Sequence, residues 1–442
     1  EITTAAELYG LAELSQTKDF TGWEITLGKD IELNKIEEGT VESWKNGAVP
    51  VNTWTPIGTS GTTVPFKGTF DGQGHTISGL YMNTATGNSG LFARTNGAVI
   101  KDFKLVDSYM RTTNNNLGLI GYVAGDLTLA NVYSDAVVVV SGSGTKTSGK
   151  LFGRIEGSGT VSIEGCWSDG ELIIDAGGNY VASFIGYFNK SSGSITLQNC
   201  LNSADIVSTT GDSNYLGGFI GSTGNAAVNI TITDCLDVGS IRKVGTQIGC
   251  VGSFIGFNNT SKATWSGVAR VYSIGNAYYD NKPVGKTIGL SNTSYTTTQF
   301  LTSRSTLLAT TETQLNTLFG SNQTVWECDS VSNDTSRGTP ILSHFNKDNW
   351  WANRQNDVNL TITPDTSWYD TRADKFLLTT AEQMYGLAEL SQRYNFEGQE
   401  IKLGADIVVN KGDAYTWGTK APSYNWTPIG SSSKYFAGTF DG

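Results

Sequence analysis

The chain has 442 residues, with 30 Lys and Arg against 41 Asp and Glu for a net charge of −11, which does not supply the basic patch that nucleic acid or an anionic membrane surface requires. It is too long for one compact core, so the fold is either elongated or divided. Glycine makes up 53 of the 442 residues, about 12% against an average of about 7%, while eight prolines and 11% aromatics argue against a disordered chain.

In chain order, the first signal is Thr4-Ala-Ala-Glu7, a capping box that predicts an amphipathic helix over 4–16 with Leu8, Leu11, Ala12 and Leu14 on one side. Trp54-Thr-Pro-Ile-Gly58 and Gly68-Thr-Phe-Asp-Gly72 follow. Then a short motif recurs as Gly90-Leu-Phe-Ala93, Gly118-Leu-Ile-Gly121, Lys150-Leu-Phe-Gly153, Ser183-Phe-Ile-Gly186, Gly218-Phe-Ile-Gly221 and Ser253-Phe-Ile-Gly256, with a weaker seventh at Lys286-Thr-Ile-Gly289. Between copies stands an alternating strand signal, as in Val161-Ser-Ile163 and Ile195-Thr-Leu197. A third short strand follows it, as in Glu171-Leu-Ile-Ile174.

Three short strands per repeat, with no helix between, predict an all-β fold: a right-handed parallel β-helix, a solenoid whose turns stack at about 4.8 Å. Its open ends need covers. The helix at 4–16 is one, and 295–345, with a helical pattern at 307–320, is the other. Residues 346–374 form a connector. A second unit starts at 375, because Tyr9–Gln16 returns as Tyr385–Gln392, Trp54–Gly58 as Trp426–Gly430, and Gly68–Gly72 as Gly438–Gly442. The chain therefore reads as a tandem array, one unit of 1–345 and the opening of a second, cut from something longer. No signal peptide opens it at Glu1, and no apolar run approaches the length of a membrane span.

Several chemistries fall away. HExxH, GxSxG, the phosphate-binding P-loop and GxGxxG after a strand are absent, and His75 and His344 are the only histidines. Stacking the repeats aligns Phe103, Val132, Cys166, Cys200, Cys235 and Val271. The apolar ends of that column make the cysteines buried thiols, with a disulfide or a thiolate metal site as alternatives; Cys250 and Cys328 lie elsewhere. The next position holds Tyr133, Trp167, Leu201, Leu236 and Tyr272. If the chain bends at Gly165, Asn199 and Asp234, this ladder turns inward or is covered; otherwise it is an outward stripe suited to sugars or a protein segment.

The cap-like TTAAELYGLAELSQ, then WTPIG, then Phe66–Leu80, then the GLFG-like motifs each followed by a strand ending in Asn-Cys or Asp-Cys, together resemble the GLUG-repeat family of bacterial surface proteins. The resemblance covers roughly 1–345 and restarts near 376. It implies parallel β-helical segments of large adhesins, or of the non-catalytic regions of IgA1-cleaving metallopeptidases, in an extracellular or cell-wall location. The zinc motif of those peptidases is missing, and Ala93 and Lys150 depart from the strict motif.

Asp71-Gly-Gln-Gly-His75 resembles strings in β-helical lyases and glycosidases, but reads better as a turn ending a structural strand. Asp135 and Asp169 share a column, Asp102 does not join it, and the next repeats put Ser203 and Val238 there, so a carboxylate pair for glycoside cleavage is not assembled. Trp350-Trp351 reads as packing in the connector, and the glycosylation sequons at Asn258-Asn-Thr260 and Asn322-Gln-Thr324 read as chance. No cofactor is expected; structural calcium has no supporting ligand spacing. The functional expectation is a non-enzymatic repeat unit of a cell-surface adhesin whose rod binds host or neighbouring-cell glycoproteins, glycans or proteins, abuts further units of its own chain, and has no nucleic-acid partner and no membrane insertion. The alternatives are a carbohydrate-active enzyme and a substrate-positioning segment of a secreted IgA-type metallopeptidase.

Overall fold

A computed structural model describes residues 1–144, 146–175, 180–209, 215–224, 228–243, 251–258, 264–273, 276–279, 282–283, 288–291, 325–328, 340–345, 364–404, 407, 409, 426–430 and 435–441. They fall in two compact units, Glu1–Asn346 and Lys347–Gly442. The expected helix at 307–320 and the pair Trp350-Trp351 lie outside the described residues.

The first unit is all-β, with two short helices among its described residues. Its strands form parallel sheets in which each strand pairs with its counterpart one repeat later. One sheet runs through Ala98–Val106, Leu127–Ser134, Thr160–Glu164, Ser194–Gln198, Asn229–Asp237 and Thr264–Ser273. A second runs through Tyr81–Thr84, Tyr109–Thr112, Val137–Val140, Glu171–Ile174, Asp205–Ser208, Ser240–Lys243 and Asn276–Tyr279. A third carries the recurring motif, from Phe92–Thr95 and Ile120–Val123 through Phe152–Gly157, Ile185–Lys190, Ile220–Ser222 and Ile255–Asn258 to Ile288–Ser291. The register is one-to-one: Leu129 pairs with Ile163, Ile163 with Leu197, and Leu197 with Ile232. Matching letters in the sequence are therefore neighbours in space.

The motif's apolar residues fill the interior. Leu91, Leu119, Leu151, Phe184, Phe219 and Phe254 are all fully buried. The Phe184 and Phe219 rings stack at 4.4 Å, and Phe219 on Phe254 at the same distance. The closing glycine has a steric reason. A Cβ at Gly153, Gly186 or Gly221 would lie within 2.6 Å of the backbone of the preceding repeat, at Asn116, Ser148 and Val181 respectively. Side-chain-free backbone lets that segment approach.

The bend expected at Gly165, Asn199 and Asp234 is a column of left-handed residues. Asp102, Asn131, Gly165, Asn199, Asp234 and Arg270 all have φ between 52° and 67°. Asn and Asp tolerate this conformation best among residues with a Cβ. One such residue flips the strand's alternation: Lys101 and Asp102 are consecutively half-buried, and Phe103 then points inward. It is this flip that sends the cysteine column into the core. Cys166, Cys200 and Cys235 are fully buried free thiols, and burial pushes the thiols of Cys166 and Cys235 up.

Helix α1 (Ala5–Leu14) starts on the predicted capping box, with Thr4 Oγ1 accepting from the Glu7 amide at 3.2 Å and the Glu7 carboxylate accepting from the Thr4 amide at 3.0 Å. Leu8, Leu11 and Ala12 are buried, but Leu14 is 60% exposed. Six positions beyond Leu8, it has left the i, i+3, i+4 stripe. A helix absent from the sequence reading, α2 (Thr40–Lys45), lays Trp44 on Tyr81 at 5.5 Å and ties Lys45 to Glu171 at 2.7 Å, covering part of the second sheet.

The second unit rebuilds most of the cap's side-chain bonds, without the reciprocal half of the capping box. Helix α3 (Ala381–Leu390) is capped by Thr380, and Glu400–Leu403 pairs with Thr439–Asp441 as Glu24–Thr26 pairs with Thr69–Asp71. Ser15 Oγ donates to Ala12 O at 2.6 Å and accepts from the Gly58 amide at 2.8 Å, and Gln16 Nε2 donates to Pro56 O at 3.0 Å. The counterparts are Ser391 to Ala388 at 2.7 Å, Gly430 to Ser391 at 2.8 Å and Gln392 to Pro428 at 2.9 Å. Among the described residues, no helix is long and apolar enough to cross a membrane.

Candidate functional site

The five ladder residues do form one column. Tyr133 pairs with Trp167, Trp167 with Leu201, Leu201 with Leu236, and Leu236 with Tyr272. Lys104 extends it beyond Tyr133. The two leucines are fully buried, whereas Tyr133, Trp167 and Tyr272 are half-buried.

A hydroxyl and carboxylate network ties the aromatic pair to the neighbouring column. Tyr133 meets Trp167 edge-on at 5.1 Å. The Tyr133 hydroxyl donates to Asp169 Oδ2 at 3.1 Å, Trp167 Nε1 donates to Ser203 Oγ at 2.7 Å, and Ser203 Oγ donates to Asp169 Oδ1 at 2.8 Å. Both Asp169 oxygens are thus engaged. Asp135, one repeat before Asp169, accepts from the Asp107 amide at 3.1 Å; burial, with Asp107 adding to it, pushes its carboxyl up to about 6 against the pull of Lys150. Burial likewise brings Lys104 down to about 8 and raises Tyr133, whose phenol also faces Asp169 and Asp135.

The ladder is not open at its aromatic end. The short strand Pro340–Leu342 pairs antiparallel with Trp326–Cys328 and leads into His344 and Phe345, which lie on the column. The Phe345 ring is 5.7 Å from Tyr133 and 6.1 Å from Trp167 and is itself buried. His344 Nε2 donates to the Gly165 carbonyl at 2.8 Å, across 179 positions of sequence. Gly165 makes this approach possible: a Cβ there would sit 2.5 Å from Asn131 Oδ1 and 3.3 Å from the His344 ring. Burial drives His344 down to about 4, with Lys104 acting in the same direction and the Gly165 hydrogen bond opposing. Of the two alternatives for the ladder, the covered one describes Tyr133 and Trp167.

The other candidates have structural partners. Asp71 Oδ1 accepts from the Gln73 amide at 2.9 Å within a tight turn, and Asp71 Oδ2 meets Lys101 Nζ at 2.5 Å. His75 Nδ1 lies 3.2 Å from Asp30. Asp102 accepts from Asn131 at 2.9 Å on the left-handed column, away from Asp135 and Asp169. Lys150, a departure from the motif, is fully buried and donates to the carbonyls of Ala136 and Glu171. Among the described residues, no group of three or more His, Cys, Asp or Glu side chains is placed to hold a metal ion.

The residue after each four-letter motif forms a second column that the sequence reading passed over. Arg94, Tyr122, Arg154 and Tyr187 are register neighbours, with Ser222 and Phe257 beyond them. Arg94 lies over the Tyr122 ring at 4.1 Å and Arg154 over Tyr187 at 5.1 Å. Tyr180 stacks on Tyr187 at 4.7 Å and on Tyr215 at 5.2 Å, and Tyr215 on Phe257 at 4.8 Å. Its visible signal was the Arg or Tyr that closes Leu91-Phe-Ala-Arg94, Leu119-Ile-Gly-Tyr122, Leu151-Phe-Gly-Arg154 and Phe184-Ile-Gly-Tyr187. These rings spend their faces on one another, so sugar stacking has little to use there.

No protein-family model matches this chain, and no curated protein matches it. A crystal structure from Bacteroides ovatus, described as that of a candidate immunoglobulin A1 protease, is similar to it with a TM-score of 0.51 and 14% identity, covering 77% of this chain and 91% of that one. At that identity the likeness is one of fold.

Proposed function

We propose that this chain is a non-enzymatic segment of a large bacterial surface protein, a right-handed parallel β-helix repeated in tandem that holds binding surface away from the cell. The observation that carries this reading is the rebuilt cap, in which Gln392, Ser391 and Gly430 repeat the bonds of Gln16, Ser15 and Gly58. A chain that restarts the same unit gains length and multivalency, since a second engagement becomes intramolecular. The GLUG-like motifs support an extracellular setting, with host or neighbouring-cell glycoproteins and glycans as partners. The carboxylates argue against glycoside cleavage: both oxygens of Asp169 are held by Tyr133 and Ser203, and Phe345 covers the adjoining rings. Acid–base catalysis needs a carboxyl free to reach its substrate.

A second reading is favoured by the Bacteroides structure, whose description is that of a candidate IgA1 protease. On it, this chain is a substrate-positioning segment whose catalytic domain lies elsewhere in the polypeptide. One experiment tests both. The purified chain is applied to immobilised glycans, mucin and IgA1, and the same targets are assayed for cleavage. Saturable retention on glycans or mucin without product supports the surface-protein reading. Retention confined to IgA1 supports the second, and turnover of a polysaccharide or of IgA1 by this chain overturns the non-enzymatic assignment.

A further inference from the structure

We propose that Pro340–Phe345 is a releasable strap: it conceals the Tyr133–Trp167 pair at neutral pH, and protonation of His344 frees it. The inference builds on the surface-protein reading, in which an outward column is offered to partners, and adds that the aromatic part of this column is offered conditionally. The geometry carries it. His344 is anchored by one hydrogen bond to a backbone carbonyl, at the left-handed position where glycine replaces the Asp or Asn of most other repeats. Phe345 fills the space above two half-buried rings that have no other aromatic cover among the described residues. The strap is short, and its anchor is a titratable, half-buried ring.

The sign follows from the surroundings. An imidazole near its ordinary pKa of 6.5 when released and about 4 when docked keeps the strap closed above pH 6.5, and favours release as pH falls from there through 4. Lys104 is the charged side chain that acts on His344 directly; Tyr133, with Asp169 and Asp135 beside it, lies under Phe345, and Asp102 and Asp234 stand on the left-handed column. The strap carries no other titratable residue, and the strand paired with it carries Glu327 and Cys328. Lys104 is charged throughout this range and repels a protonated His344. Asp135, already pushed up to about 6, opposes release as it takes its proton. The two pKa values for His344 set an upper bound of about 70-fold on the weakening of docking between pH 7.5 and 4.5.

Hydrogen exchange on the full chain tests this, with protection expressed relative to the intrinsic rate at each pH. The peptide covering 340–345 is expected to lose ten- to seventy-fold of its protection between pH 7.5 and 4.5, while the strands at 161–163 and 195–197 keep theirs. His344→Gln, which retains an N–H for the Gly165 carbonyl but does not titrate, is expected to hold its protection within about threefold. Phe345→Ala is expected to deprotect 340–345 already at pH 7.5. Unchanged protection in the parent chain at pH 4.5, an equal loss in His344→Gln, a loss shared by the core strands, or intact protection in Phe345→Ala would each overturn the strap. None of these readouts depends on a ligand, so they are independent of whether the array experiment finds a partner.

Discussion

The side-chain amide of Asn202 donates to the carboxyl of Asp237 at 2.7 Å, and both residues lie in the interior, on consecutive repeats of one inward column. Ser273, on the following repeat, donates to the other Asp237 oxygen at 2.8 Å and meets Ser253 at 2.7 Å. Burial outweighs these bonds and pushes the Asp237 carboxyl up to about 7. Asn202, Asp237, Ser273 and Ser253 thus form a continuous polar seam within the core.

A raised carboxyl pKa has a definite sign. The contribution of Asp237 is fully present below the usual 3.8 and is lost as pH rises through 7. Asp237→Asn removes that loss. Urea unfolding of the two proteins from pH 4.5 to 9 should show the variant gaining on the parent by about 3–4 kcal/mol toward the alkaline end. A difference that stays flat with pH would refute the assignment.

The Phe184–Phe219–Phe254 stack places Phe219 between two rings at 4.4 Å each. Phe219→Ala leaves a cavity that the rigid parallel strands on either side cannot close. The expected cost is about 3–5 kcal/mol, read as a lower urea midpoint with an unchanged slope.

Gly186 and Gly10 make a contrast. A Cβ at Gly186 meets the backbone of Ser148 at 2.5 Å, so Gly186→Ala must push two repeats apart, at about 1–3 kcal/mol or more. A Cβ at Gly10, in α1, meets nothing within 4 Å. Gly10→Ala should stabilise by up to about 1 kcal/mol, and thermal melts of the pair should move in opposite directions.

Ser15 is buried and bonds in both directions, to Ala12 and from Gly58. Ser15→Ala strands the Gly58 amide, at about 1–3 kcal/mol. The loss should appear first as faster hydrogen exchange in α1 and around Gly58. If the two caps are equivalent, Ser391→Ala does the same to α3 and Gly430.

Much of this was legible in the sequence because stacking turns repetition into contact. Leu91 through Phe254 could be placed in one buried column from spacing alone, and so could the three cysteines, since a parallel register maps equal positions onto neighbours. The bend at Gly165, Asn199 and Asp234 was visible in residue type, for Asn, Asp and Gly are the residues that accept a left-handed backbone. The column of Arg94, Tyr122, Arg154 and Tyr187 was equally periodic, but the letters alternate between cation and ring and so did not read as one set.

The sequence by itself determined the parallel strands, their repeat length, the inward columns and the restarted cap, all consequences of local pattern recurring at a fixed interval. Only the tertiary structure decided what lies on top of those columns. That His344 and Phe345 settle on Gly165, Tyr133 and Trp167 follows from no periodicity, because the contact joins residues 179 apart that belong to no common repeat. The same holds for Trp44 over Tyr81. A cover is chosen by the shape and polarity of the surface that the completed stack presents, and that surface exists only once the repeats have come together.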